Sequence, residues 1–106
     1  MSSVEIEGKS FNYIKLSDKE ELPESKGIYV IACERDDKYT ILDVGMTYDQ
    51  TLKERVANHD RKDCWDKNCS HVLMIAYLVM ENSTKEEILD LESKIRTSRN
   101  LKCGER

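Results

Sequence analysis

A carboxylate lies within the apolar stripe of a predicted helix near the C-terminal end of the chain. On a helical wheel at about 100° per residue, Glu92 falls inside the stripe formed by Ile88, Leu91 and Ile95. A carboxylate left desolvated and alone would cost on the order of several kcal/mol. The pattern therefore predicts that Glu92 is hydrogen-bonded, paired with a cation or bound to a metal ion.

A second predicted helix carries a guanidinium and an imidazole beside its apolar edge. Arg55 and His59 are four residues apart, so they share one face of the helix. Leu52 and Val56 define the buried edge next to them. Two interpretations stay open at this point: Arg55 pairs with Glu92 or extends to the rim, or both side chains take part in chemistry.

The chemistry that suits these groups is hydrolysis of a phosphodiester. That reaction needs positive charge near the developing phosphorane, a hard cation held by carboxylate oxygen and a group that activates water. Arg55, Glu92 and a nearby tyrosine could supply these three roles.

The elements that must position these residues follow the order β-β-α-β-α. The segment 27–34 is apolar on both parities and predicts a strand covered on both sides. A polar turn joins it to a second strand, and the last helix begins at an Asn82-Ser83 cap. The predicted elements are an edge strand 11–16, strands 27–34, 39–45 and 71–80, and helices 50–62 and 84–97.

Several short motifs, in this order, resemble the GIY-YIG nuclease superfamily. Gly27-Ile28-Tyr29 is the first half of that signature, and Asp43-Val44-Gly45 stands where the second half would be. The resemblance spans roughly residues 22–100. Its further matches are Thr47, Leu52, Arg55 and His59 around the arginine-bearing helix, and Leu91-Glu92 with Ile95 in the metal-binding helix.

The resemblance implies a three-stranded antiparallel sheet flanked by helices and hydrolysis of DNA with one divalent ion, Mg²⁺ or Mn²⁺. By that analogy Tyr29 orients or deprotonates the attacking water, and Arg55 stabilises the transition-state phosphate. His59 assists near the phosphate, and Glu92 holds the metal ion. DNA is the expected substrate, with a protein partner as a possible source of specificity.

One departure from the family pattern bears directly on activity. Asp43 replaces the second tyrosine of the signature, so it either joins Glu92 in binding the cation or damages the site. Tyr39, which shares strand parity with Asp43, and Tyr48 are candidates for a substitute hydroxyl. Thr47 and Asn100 are further candidates for contact with the substrate. A catalytically degenerate module for nucleic-acid or protein interaction is therefore the alternative hypothesis.

Chain length, net charge and hydropathy limit the class of protein to which this chain can belong. A chain of 106 residues has room for one core, which predicts a single domain over residues 1–106. The net charge of −4 counts against nonspecific binding of nucleic acid, although basic residues gather between Lys94 and Arg106. No window is long and apolar enough for a membrane helix, and no secretory signal is evident. A cytoplasmic protein with four free thiols is expected.

The cysteines and histidines suggest two other kinds of site. His59, Cys64, Cys69 and His71 could surround zinc, although the spacing is not a standard ligand pattern. A cysteine nucleophile paired with a histidine is the other option, but no third group is placed to orient the base.

Overall fold

The described residues contain five strands, which form one antiparallel sheet. The structure is a computed structural model and describes residues 2–57, 59, 61–97, 99 and 101–103. The strand order is β1-β2-β5-β3-β4, and every neighbouring pair is antiparallel. The strands are β1 (Ser2–Ile6), β2 (Lys9–Lys15), β3 (Gly27–Arg35), β4 (Lys38–Thr47) and β5 (Val72–Val79).

The helices of the described residues pack against this sheet. They are a 3₁₀ helix (Leu16–Glu21), α1 (Leu52–Ala57), α2 (Lys62–Lys67) and α3 (Lys85–Thr97). The predicted last helix is found as α3. Its first turn is capped by Thr84, whose hydroxyl accepts from the Glu87 N–H while the Glu87 carboxylate accepts from the Thr84 N–H. The cap therefore lies one residue beyond the predicted Asn82-Ser83 position.

The prediction of one helix over residues 50–62 is wrong. Helix α1 ends at Ala57, and α2 begins at Lys62. Between them, the Arg61 backbone N–H donates to the Nδ1 atom of His59 at 3.1 Å. His59 itself is buried, at 4% exposure, and is not helical.

The α/β fold class is confirmed, but the three-stranded sheet is not. Strands β3, β4 and β5 are the three predicted by pattern, and β1 and β2 add to them through the pairing of β2 with β5. Strand β1 escaped prediction because Ile6 is its only fully buried residue, so it lacks an apolar run. Strand β2 was predicted to be an edge strand, whereas it pairs with β1 on one side and with β5 on the other.

Strand β3 lies between β4 and β5 and divides the core into two parts. Alternate residues point to opposite faces of a strand, so Ile28 and Val30 pack with α3 while Tyr29 and Ile31 pack on the other side. We call the second side the Trp65 face. Its buried members are Leu22, Tyr29, Ile31, Leu52, Val56, Trp65, Ile75, Tyr77 and Cys103.

A bulge in β4 changes which face its residues occupy. The register pairs Ile31 with Asp43 but Ala32 with Ile41, so Leu42 is the extra residue. The Leu42 carbonyl accepts a hydrogen bond from the Cys103 N–H at 2.8 Å. Because of the bulge, Asp43 lies on the Trp65 face and Ile41 packs on the α3 side.

The prediction of free thiols is wrong. Disulfide bonds join Cys33 to Cys69 and Cys64 to Cys103. Bonds of this kind form and persist in oxidising environments, so cysteine content does not support the cytoplasmic placement. The described helices include none with the length and apolar character needed to cross a membrane.

Candidate active site around Tyr29

The pairing of the sheet places Tyr29 on the Trp65 face. It lies on β3 opposite Gly45 of β4 and is only 1% exposed. A Cβ atom at Gly45 would lie 2.2 Å from both the Cζ and the hydroxyl oxygen of Tyr29. Glycine at this position therefore makes the space in which the phenol lies, which gives the second half of the signature a steric role.

His59 contacts the Tyr29 hydroxyl through its Nε2 atom at 2.6 Å. Its Nδ1 atom accepts the Arg61 backbone N–H, so Nδ1 carries no proton. The neutral ring must then carry its proton on Nε2, and this N–H donates to the Tyr29 oxygen. The tautomer is thus assigned from the hydrogen-bond pattern.

Arg55 supplies a second donor to the same phenol oxygen. A hydrogen bond and the positive charge of Arg55 both lower the pKa of Tyr29, and the charge of Arg61 lowers it further. Burial acts the other way and is the largest effect, and the negative charge of Asp43 adds to it. The net result raises the Tyr29 pKa to about 12. Two donors pointing at one oxygen make Tyr29 an acceptor in this arrangement.

Asp43 lies beside this centre and is fully buried. Its Oδ2 atom accepts from the Trp65 indole N–H at 2.8 Å and lies 3.3 Å from the Nε atom of Arg61. Burial raises the pKa of the Asp43 carboxyl, against the lowering effects of Trp65 and then Arg61. Its Oδ1 atom forms no well-oriented hydrogen bond with the described residues, although the nearby Val44 N–H also lowers the pKa.

Trp65 covers the centre from above. Its ring lies 4.6 Å from the His59 ring, centroid to centroid, and the His59 ring meets the Tyr29 ring edge-on at 5.6 Å. Tyrosine, histidine, tryptophan and aspartate therefore form one contiguous polar and aromatic cluster. We call Tyr29, Asp43, Arg55, His59 and Trp65 the Tyr29 cluster.

No family model, curated protein or solved structure matches this chain. The interpretation of the site therefore depends on its own geometry. The four residues predicted to be catalytic, Tyr29, Asp43, Arg55 and His59, interact with one another in the Tyr29 cluster. They come from three separate parts of the chain: β3, β4, and α1 with the turn that follows it.

Glu92 lies on α3, which packs on the side of the sheet opposite to the Trp65 face, so the structure does not place it in the Tyr29 cluster. The Glu92 carboxylate is 6% exposed, and its Oε2 atom is 4.0 Å from the Nη2 atom of Arg96. The same Nη2 atom donates to the Val44 carbonyl on the outer edge of β4. The charge of Arg96 also lowers the pKa of Asp43. Arg96 thus links the α3 side of the sheet to the Tyr29 cluster around the β4 edge.

The donor atoms of this region are of the type that a divalent cation prefers. Mg²⁺ binds through one or two carboxylates and keeps water or substrate phosphate as its other ligands. Glu92, on the α3 side, and the Oδ1 atom of Asp43, on the Trp65 face, each offer carboxylate oxygens, and Arg96 interacts with both residues. Among the described residues, no group of three or more His, Cys, Asp or Glu side chains could hold a metal ion.

Three other predicted contact residues, Tyr39, Tyr48 and Thr47, lie outside the cluster. The ring of Tyr39 is 41% exposed and stacks near Tyr13 at 6.1 Å. Tyr13 packs on the α3 side, so the bulge at Leu42 breaks the parity that was expected to unite Tyr39 with Asp43. The interpretation of Tyr39 as a substitute for the second tyrosine is therefore wrong.

Tyr48 and Thr47 lie at the end of β4 nearest Gly27. The Tyr48 ring is at the surface, with the Lys26 amine 4.2 Å from its centroid. The Thr47 hydroxyl is buried and accepts the Gly27 N–H at 3.1 Å, so it fastens the ends of β3 and β4 to each other. Asn100 lies outside the described residues.

Sequence reasoning missed three residues that shape the site: Arg61, Trp65 and Arg96. Helical periodicity gave no signal for Arg61 and Trp65, because they follow the break between α1 and α2. The zinc site and the cysteine nucleophile considered for this region are also wrong. Cys64 and Cys69 are in disulfides and hence are not thiolate ligands or nucleophiles, and His59 bonds to Tyr29.

Proposed function

We propose that this chain is a metal-dependent hydrolase of DNA phosphodiester bonds, of the GIY-YIG type. The observation that carries the proposal is that the Tyr29 oxygen accepts hydrogen bonds from both His59 and Arg55. Two donors to one oxygen stabilise the phenolate, so Tyr29 can accept a proton from water once its own proton has left for solvent. The same guanidinium lies where it could stabilise charge on a phosphate.

In this proposal each of the four site residues has a separate role. Tyr29 orients and deprotonates the attacking water, and His59 fixes the phenol oxygen through its Nε2–H. Arg55 stabilises the negative charge that develops on the phosphate. Glu92 binds Mg²⁺ or Mn²⁺, which neutralises charge on the leaving oxygen when the ion is bound.

Substrate access places a further requirement on the mechanism. Tyr29 is 1% exposed and Asp43 is fully buried, so a phosphate reaches the phenol only when Trp65, which packs on the His59 ring, moves aside. DNA is the proposed substrate, and a protein partner is the proposed source of specificity.

A second function is supported by the same burial. A chain that kept the fold but lost hydrolysis would bind nucleic acid or protein without cleaving it. The replacement of the second signature tyrosine by Asp43, and the use of that carboxylate to hold Trp65 and Arg61, favour this alternative.

The deciding experiment is metal-dependent cleavage of DNA in several forms, including supercoiled plasmid. Purified protein with Mg²⁺ or Mn²⁺ should nick the plasmid, and Arg55→Ala and Glu92→Gln should each abolish nicking. Lys53→Ala on α1 and Glu86→Gln on α3 are matched controls and should nick normally. Thermal melts confirm that each variant is folded. Binding without nicking by the parent protein would support the second function, and equal nicking by all variants would contradict the proposed site.

A further inference from the structure

A cleft separate from the Tyr29 hydroxyl lies between the 3₁₀ helix, the two short helices and the start of β5. Its volume is about 630 Å³, within the range of roughly 300–1,000 Å³ typical of small-molecule sites. One wall is apolar and is formed by Leu16, Val56, Trp65, Val72 and Leu73. An apolar wall of this kind favours a ligand with an apolar or aromatic body.

Polar groups line the other side of the cleft. They are Ser17, Lys19, Lys62, Asp66 and His71. The Lys62 amine donates to the Ala57 carbonyl at 2.6 Å, which fixes it at the cleft. Among the described residues, neither Lys19 nor Lys62 forms an ion pair with a carboxylate, and Asp66 is the acidic residue that lines the same space.

The two lysine amines lie close to each other. The Lys19 amine lines the same cleft and lowers the pKa of Lys62, and its positive charge contributes to this effect. Two ammonium groups at this separation repel each other. An anion placed between them would remove the repulsion and would accept hydrogen bonds from both amines.

We propose that this cleft binds a phosphate monoester with an apolar or aromatic body, of the size of a nucleoside monophosphate. A phosphate monoester carries between about −1.5 and −2 charges at neutral pH, which matches two adjacent ammonium groups better than a singly charged carboxylate does. The phosphate lies between Lys19 and Lys62, and the body of the ligand packs on Leu73 and Val56. The proposal does not depend on hydrolysis at Tyr29.

Phenyl phosphate, titrated into the full chain and followed by backbone amide shifts, tests the proposal. We expect shifts at the residues around Lys19, at the start of α2 and at Leu73. Lys19→Gln and Lys62→Gln should each weaken binding about tenfold, the effect expected for loss of one charged hydrogen bond. Lys53→Gln, which removes a lysine that does not line the cleft, is the matched control and should bind as the parent does.

Four further arms decide between sources of the signal. Benzoate, with one charge, and inorganic phosphate, with no apolar body, should both bind at least tenfold more weakly than phenyl phosphate. Adenosine monophosphate should compete with phenyl phosphate. Three outcomes would each overturn the proposal. Inorganic phosphate could bind as tightly as phenyl phosphate, or both lysine variants could bind as the parent does. The third is that these amides shift with a short DNA duplex but not with phenyl phosphate. No arm measures cleavage, so failure here is distinct from failure of the proposed hydrolase.

Discussion

At the residue scale, the chemistry of the site depends on one phenol oxygen. Tyr29 is buried, which disfavours its phenolate, while His59 and Arg55 both donate to its oxygen, which favours the phenolate. Burial is the larger effect, so the pKa is raised from 10.0 to about 12. In this closed arrangement Tyr29 is a poor base at neutral pH. Opening the cover to solvent would remove much of the burial effect and lower the pKa toward the range useful for catalysis.

Replacing Tyr29 with Phe tests this balance. The variant leaves the His59 Nε2–H and Arg55 without their acceptor, so we expect a loss of about 1–3 kcal/mol in the free energy of unfolding at neutral pH. Because the folded-state pKa is raised, the ionisation of Tyr29 contributes stability that is complete below pH 10 and is lost as the pH rises through about 12. The variant should therefore lose less stability than the parent in this alkaline window.

The measurement is urea unfolding at several pH values together with a spectrophotometric tyrosine titration. Tyr48→Phe is the control, because that ring is at the surface and outside the Tyr29 cluster. An alkaline stability profile of Tyr29→Phe identical to that of the parent would show that the phenol is not buried as described.

Gly45 allows a second prediction at this scale. A Cβ atom there would overlap the Tyr29 ring, so Gly45→Ala should destabilise the chain by about 1–3 kcal/mol through overpacking. In a Tyr29→Leu background the ring atoms that clash are absent, and the same substitution should then cost far less. A double-mutant cycle of unfolding free energies measures this coupling. Additive effects would mean that the ring and Gly45 do not touch.

At the scale of elements, α3 positions Glu92 and Arg96, and its first turn depends on a side-chain cap. Thr84 and Glu87 exchange hydrogen bonds between side chain and backbone at this end. Thr84→Ala should therefore cost about 1 kcal/mol in the free energy of unfolding. Ser83→Ala, one residue earlier, removes the residue that sequence reasoning placed in the cap and should have little effect. A larger loss for Ser83→Ala than for Thr84→Ala in chemical denaturation would reverse this assignment.

At the scale of the whole molecule, two disulfides connect segments that no sheet pairing joins. Cys64–Cys103 ties α2 to the C-terminal segment, and Cys33–Cys69 ties β3 to the loop before β5. Their sequence separations of 39 and 36 residues are nearly equal. Helix α2 contributes Trp65, so the first of these bonds also holds the cover of the Tyr29 cluster in place.

The nearly equal loop lengths lead to a fourth prediction. Removing either disulfide as a Cys→Ser pair should cost about 4 kcal/mol, because loop-closure entropy changes slowly with length. Only the Cys64→Ser, Cys103→Ser pair should also increase quenching of Trp65 fluorescence by iodide. Thermal melts and quenching titrations check the two parts separately. Equal quenching in both variants would contradict the role given to the Cys64–Cys103 bond.

The sequence by itself determined the elements with strong periodicity and the identity of the polar residues inside them. Strands β3 and β5 were predictable from continuous apolar runs, and helix α3 from apolar residues that recur at the spacing of a helix. Glu92 stood out for the same reason, since a charge inside an apolar stripe is visible on a wheel. Short, half-exposed β1 gave no such signal.

Tertiary structure alone decided how these elements combine. The bulge at Leu42 placed Asp43 and Tyr39 on opposite faces, and no local preference of the sequence marks an extra residue in a strand. His59, between α1 and α2, bonds to Tyr29, 30 residues earlier in the chain, a contact that the local sequence does not announce. Cysteine pairing likewise depends on which loops meet in space. Contacts between distant segments fix these features, and sequence periodicity reports only on neighbours along the chain.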